Sequence, residues 1–113
     1  MRTQGKVWGK TAVLFAQNNV EVHRIEILPG GYSSKHKHEH KHNLFCIESG
    51  RLLVTAWQPS GTVDVTEVGP GQTCAVPPGV FHSFESPVAT SAIEIYWVEI
   101  GEDIVREGVG GRA

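Results

Sequence analysis

Of six histidines in this chain, four fall within seven residues: His36, His38, His40 and His42. Neutral imidazole is a ligand for Zn, Cu, Fe and Ni near pH 7. Two histidines one residue apart on a strand point to the same face, so a His-x-His pair can reach one ion. A pair supplies only two ligands, and a third must come from elsewhere in the fold. His23 and His82 are the distant candidates. His23 sits mid-strand, where a core or cross-strand histidine is the plainer reading. His82 follows Pro77-Pro78-Gly79, a rigid corner that would fix the direction of the side chain behind it. Without such a partner, Lys35-His36-Lys37-His38-Glu39-His40-Lys41-His42 reads as a solvated, metal-sticky stretch.

The elements that must position these residues have the period of strands. Ala12 to Ala16 and Val20 to Leu28 interleave apolar and polar residues as half-buried strands do. Pro29-Gly30-Gly31 stops the second. Leu44 to Glu48 and Arg51 to Trp57 follow, joined by Ser49-Gly50, which reads as a tight hairpin. Gln58-Pro59-Ser60-Gly61 turns the chain into Thr62 to Val68. The runs Thr73 to Val76, Phe81 to Glu85 and Ser91 to Ile100 complete the set. Eight to ten short strands with turn signals every 8–12 residues, and no amphipathic stretch of helical length, predict an all-β sandwich or barrel.

Length and composition narrow the classes. In 113 residues, 13 glycines and 6 prolines punctuate the backbone, and one domain is the expectation. It covers 1–113, with a core over 7–100 and a charged, Gly-rich strap over 101–113. A net charge of −2 leaves no basic footprint, so no nucleic-acid partner is expected. No apolar run reaches the roughly 20 residues of a membrane helix, and Met1 to Lys6 lacks a signal-peptide stretch, so no membrane partner is expected either. Two cysteines, Cys46 and Cys74, read as small buried apolar residues and fit a cytoplasmic setting.

Two segments resemble the paired signature motifs of the cupin superfamily. The first reads Gly30-x5-His36-x-His38-x4-Asn43-x6-Gly50 and the second Gly71-x5-Pro77-x-Gly79-x2-His82. The resemblance implies a jelly-roll barrel, a double-stranded β-helix, holding one divalent ion (Zn, Mn, Fe, Ni or Co). It implies His36, His38 and His82 as ligands. The family's glutamate position is occupied by Asn43, so the fourth ligand is open between Asn43, His42 in its place, and water. His40 falls in the connection between the motif strands and reads as an exposed bystander, as do Lys35, Lys37 and Lys41. The second motif ends in Ser86 where the family often has Asn, a change expected to affect a turn or packing.

The chain ends resemble one branch of that superfamily. Val7-Trp8-Gly9 near the start, and Gly101-Glu102-Asp103-Ile104-Val105-Arg106 with Gly111-Arg112 near the end, look like the C-terminal isomerase domain of type II phosphomannose isomerase/mannose-1-phosphate guanylyltransferase. This implies metal-dependent handling of a sugar phosphate, or more broadly of a small sugar-like or acidic metabolite. An aldose–ketose isomerase needs a Lewis acid and a base. Glu48, Glu85 and Glu94 are the candidate bases, each with a surface or cross-strand role as its plainer reading, and Arg51, Arg106 and Arg112 are candidate phosphate clamps. A three-histidine iron site, as in dioxygenase-type cupins, is the alternative enzyme reading. A non-catalytic small-molecule or metal-binding cupin is the third, with Phe45, Trp57, Phe81, Phe84 and Trp97 lining the interior or a dimer face. Exposed sheet edges make a homodimer the expected state, with Ala92 to Ile100 and Lys6 to Phe15 as edge contributors.

Overall fold

A computed structural model describes residues 2–98, 109, 110 and 112, and all its regular elements are strands. In chain order they are β1 (Arg2–Lys6), β2 (Gly9–Gln17), β3 (Val20–Ile27), β4 (His42–Ser49), β5 (Leu52–Trp57), β6 (Val63–Val68), β7 (Thr73–Val76), β8 (Phe81–Glu85) and β9 (Thr90–Trp97). Six of them form one antiparallel sheet in the order β1-β2-β3-β9-β4-β7, and three form a second, β6-β5-β8. The expected all-β jelly roll is the fold observed. Glu99, Ile100 and positions 101–108, including Arg106 and most of the strap, lie outside the described residues.

Alternation along the strands decides what the two sheets enclose. Ile25 and Ile27 of β3, Phe45 and Ile47 of β4, Leu52 and Val54 of β5, Phe84 of β8 and Ala92 of β9 are all buried, each two residues from the next on its strand. Trp8 and Phe45 both meet Phe84 edge-on, with ring centroids 5.1 and 5.8 Å apart. Followed toward the other end of the barrel, the same inward faces turn polar. Ile25 gives way to His23 and Glu21, Phe45 to Asn43, Ala92 to Glu94 and Tyr96, and Phe84 to His82. Cross-strand pairing puts His23 opposite Glu94 and Asn43 opposite Tyr96, so these substitutions occur at the same height.

Three expectations are corrected by the topology. Ser49-Gly50 does not close a hairpin, because β4 and β5 belong to different sheets and the chain crosses between them there. β9 is not an edge: it lies between β3 and β4, so Ala92 to Trp97 is paired on both sides. β2, which carries most of Lys6 to Phe15, is not an edge either: β1, which has no apolar residue to announce it, lies outside it, and β1 and β7 are the edges of the large sheet. Phe81 faces outward at 41% exposure, which removes the interior one of the two places offered for it.

The crossing at Gly50 depends on glycine. Its φ is +89°, and a Cβ there would press on Thr90 Oγ1 and the Ala89 carbonyl. Ser86 organises the same corner, with its hydroxyl 2.6 Å from both the Arg51 and the Val88 carbonyl oxygens, so this departure from the motif serves a turn. A Gly50→Ala variant is expected to lose about 2 kcal/mol or more, from backbone strain plus the clash. Thermal unfolding would register this as a fall in Tm of roughly 10 °C.

Candidate metal centre

The polar end of the barrel gathers three of the six histidines. One nitrogen from each of His36, His38 and His82 lies within 4.8 Å of the others. Only His82 stands on a strand of the sheets. The expected strand carrying His36 and His38 is instead an irregular segment, held to β8 by isolated bridges at Tyr32–Glu85 and His36–His82. The His36 and His82 backbones exchange two hydrogen bonds, of 3.0 and 2.8 Å. Gly79 N–H donates to the His38 carbonyl at 2.8 Å. The Pro77-Pro78-Gly79 corner therefore does two jobs, aiming His82 and pinning His38. Gly79, at φ +79°, has the left-handed conformation the corner requires.

Hydrogen bonds at the far side of two rings fix their tautomers. His36 Nδ1–H donates to the Ser34 carbonyl at 2.8 Å and His82 Nδ1–H to the Val80 carbonyl at 3.0 Å. A carbonyl only accepts, so each Nδ1 holds the proton and each Nε2 keeps its lone pair. His82 Nε2 and His38 Nε2 are buried without a hydrogen-bond partner among the described residues. Burial, joined by His36, His82 and Lys41, pulls the His38 pKa down to about 4. Burial also lowers that of His82, against the Val80 hydrogen bond, with His36 adding to the fall. Both rings are thus neutral at pH 7, the form that binds metal.

Beside the imidazoles lies a buried pair from β4 and β9. Asn43 is 1% and Glu94 6% exposed, and Asn43 Nδ2 donates to Glu94 Oε2 at 3.2 Å. A carboxylate can only accept, so Glu94 orients the amide and leaves Asn43 Oδ1 buried with no partner among the described residues. Burial raises the Glu94 pKa, with hydrogen bonds from Tyr96 and Asn43 opposing it. Glu94 is therefore an interior residue, contrary to the surface reading, and a cross-strand one, opposite His23 and bonded to Asn43 of the neighbouring strand. Strand alternation through Ala92, Glu94 and Tyr96 was the available signal, and the acidic residue type masked it.

The other candidates are placed elsewhere. His42 lies on the opposite face of β4 from Asn43, stacked on Trp97 at 5.1 Å between ring centroids and 8° between planes. His40 is exposed, as expected. Glu85 and Glu48 are exposed, the latter paired with Arg24 at 3.3 Å. Arg51 pairs with Glu67 at 3.3 Å, and Arg112 is exposed. His23 Nδ1 meets Thr11 Oγ1 at 3.3 Å, and its ring packs edge-on against Tyr96. Cys46 and Cys74 are free and half-buried; Cys74 packs against the core, where burial pushes its thiol pKa up.

A cavity of about 330 Å³ opens beside the histidines, lined in part by Gln4, Lys6, Trp8, His23, His36, Glu94 and Tyr96. Two of its wall residues, Gln4 and Lys6, come from β1, and no motif pointed to them. A larger surface groove of about 570 Å³, near Gly9, Leu28 and Thr90, lies away from the histidines.

Comparison with known proteins agrees with this architecture. A germin-like protein 3-7 of Oryza sativa subsp. japonica is 33% identical over 73 residues, which is 65% of this chain and 31% of that protein. A mannose-1-phosphate guanylyltransferase of Salmonella muenchen is 26% identical over 104 residues, 88% of this chain and 21% of the enzyme. The chain thus spans a third or less of these relatives. Bacillus subtilis oxalate decarboxylase, in a study of its Mn(II) centres, superposes with a TM-score of 0.79 at 16% identity, covering 86% of this chain and 27% of that one. The cupin domain model matches residues 23–99, a stretch that takes in most of β3, all of β4 to β9 and all three clustered histidines. Over most of its length, then, this chain belongs to the cupin family.

Proposed function

We propose that this chain is a metal-binding cupin in which His36, His38 and His82 hold one divalent ion through Nε2, with Asn43 Oδ1 as the fourth donor. The observation that carries this is the convergence of buried, unpartnered lone pairs. An unmade hydrogen bond on a buried polar atom costs about 1–3 kcal/mol. His38 Nε2, His82 Nε2 and Asn43 Oδ1 all bear that cost among the described residues, and one nitrogen from each of His36, His38 and His82 lies within 4.8 Å of the others. Asn43 is favoured over His42 because its amide is inward and oriented by Glu94, whereas His42 packs on Trp97.

The adjoining cavity would take a small acidic or sugar-like molecule. Lys6 supplies a cation for a carboxylate or phosphate, and Trp8 a flat apolar wall for a sugar ring. A divalent ion bound at the histidines would supply a Lewis acid for a carbonyl oxygen. Among the described residues Glu94 is the carboxylate lining this cavity, and it would carry a proton between adjacent carbons of an aldose or ketose phosphate. The sugar-phosphate chemistry named for the Salmonella muenchen relative favours this isomerase reading. The donor set favours another: three imidazoles and an amide, with no carboxylate, suit a three-histidine iron site of the dioxygenase kind.

Elemental analysis of protein purified without a nickel column separates these readings. One equivalent of Zn, Mn or Co with turnover of mannose 6-phosphate is the result expected of the isomerase. Iron with oxygen uptake would transfer the assignment to the dioxygenase. A stoichiometric metal with neither activity would leave a binding protein. Absence of metal, together with a Tm that chelator does not move, would overturn the metal centre itself.

A further inference from the structure

The cavity beside the histidines does not stand alone. A second cleft, of about 650 Å³, shares Lys6, Trp8 and Ser34 with it and is otherwise walled by Val7, Leu28, Pro29, Tyr32 and two glycines. The three shared residues form a neck between an inner and an outer compartment. Trp8 is fixed there as a partition. Its ring meets Phe84 edge-on at 5.1 Å, and its carbonyl accepts the Leu28 N–H at 2.8 Å. Glycine at 31 lets the turn over 28–31 pack this closely, since a Cβ there would lie 2.7 Å from the Trp8 carbonyl oxygen.

The two compartments differ in chemistry. The inner wall includes Gln4, Thr11, His23, His36, Glu94 and Tyr96, all able to hydrogen-bond. Beyond the neck, the described outer wall holds no charged, amide or imidazole side chain. Its backbone donors are spent as well. Leu28 N–H donates to the Trp8 carbonyl, Gly30 N–H to that of Ser86 and Gly31 N–H to that of Leu28, while Pro29 has no N–H. Leu28 and Tyr32 are nevertheless 60% and 71% exposed, and Val7 is fully exposed. Sugar hydroxyls would give up water in this compartment for few partners, which an apolar group does not have to do. Among the described wall residues, Lys6 is the only lysine or arginine of either compartment. An anionic group therefore belongs at the neck, with the apolar part beyond it.

We infer that the ligand of this site is a carboxylic acid carrying an apolar group of about the size of a phenyl ring. Lys6 holds the carboxylate at the neck, any further polar atoms face the histidines, and the apolar group lies among Trp8, Leu28 and Tyr32. The inference rests on the reading of the inner cavity as the ligand site, and not on the ion. It bears unequally on the two enzyme readings. A hexose phosphate leaves the outer compartment empty, whereas a substituted carboxylic acid fills it.

NMR titration of the full chain with propanoate, 3-phenylpropanoate and mannose 6-phosphate tests this, once with chelator and once with one equivalent of Zn²⁺. 3-Phenylpropanoate is expected to bind about tenfold or more tightly than propanoate, the gain from removing a phenyl face from water. Leu28→Ser with Tyr32→Ser should bring it to within about threefold of propanoate, and should leave propanoate binding and Tm unchanged because both side chains are exposed. Lys6→Gln should weaken both carboxylates about tenfold and keep their ratio. Equal affinity for the two carboxylates, or a phenyl gain that survives the double variant, would overturn the inference and leave the acid site standing. Mannose 6-phosphate binding more tightly than 3-phenylpropanoate, and equally well to the double variant, would give the site to a sugar phosphate and overturn it too. Binding of none of the three would remove the inner cavity as the ligand site, and the inference with it.

Discussion

A His82→Ala variant is expected to lose at least about 100-fold in affinity for divalent metal. Removing a hydrogen-bond partner behind a ligand already costs about 10–100-fold, and His82 is proposed as a ligand itself. Its buried Nε2 has no other partner among the described residues, and its Nδ1–H already holds the Val80 carbonyl. Calorimetric titration and metal content would measure the loss. Thermal unfolding with and without chelator distinguishes it from simple damage. Metal at about 100 times Kd should stabilise wild type by about 2.7 kcal/mol, and the variant by nothing measurable. With chelator present the two should differ only by the Val80 hydrogen bond and the space left behind. A variant that keeps a full equivalent of metal would remove His82 from the site.

Asn43→Glu is the second large effect. It restores the acidic residue of the family motif and should nonetheless damage the protein. Asn43 Nδ2 now donates to Glu94, and both residues are nearly inaccessible to water. A glutamate at 43 would exchange that bond for two buried carboxylates in contact. Uncompensated buried charge costs about 3–5 kcal/mol, and this is the expected loss in the chelated protein. Adding Glu94→Gln should recover most of it, because an amide at 94 can donate to the new carboxylate. The coupling between the two positions is then read from a double-mutant cycle of Tm or denaturant midpoints. If Asn43→Glu alone were as stable as wild type, Glu94 would not be the group that orients position 43. The proposed fourth donor is checked in the same series: Asn43→Ala should weaken metal binding about tenfold, and His42→Ala should leave it unchanged.

These residues also show which features were legible in the chain before folding. The motif spacings brought His36, His38 and His82 together across 46 positions of sequence, because a glycine and a proline at fixed offsets determine where the backbone turns. The x6 interval to Gly50 likewise placed Asn43 inward. Strand period gave β3 to β9 nearly residue by residue. What could not be read from local pattern was pairing. Ser49-Gly50 has hairpin composition, yet the next strand finds its partners in the other sheet, a choice made by long-range burial of Leu52 and Val54. β9 has the composition of an edge or a centre alike. β1, Arg-Thr-Gln-Gly-Lys, has no apolar residue and is a strand because β2 offers it hydrogen bonds. The surface reading of Glu94 failed for a related reason: acidic residues are rarely buried unless paired, and its partner lies 51 residues away.

The barrel is graded along its length, aliphatic at one end and polar at the other, on the same strands. This separates what keeps the protein folded from what it binds. Mutations at sites more than 7–10 Å apart with no shared partners combine almost additively. The open end can therefore accumulate new side chains at Gln4, Lys6, His23 or Tyr96 while Ile27, Ile47 and Leu52 hold the two sheets together. A lineage built on this plan can exchange one ligand for another in small steps, with its foldedness guarded at the far end.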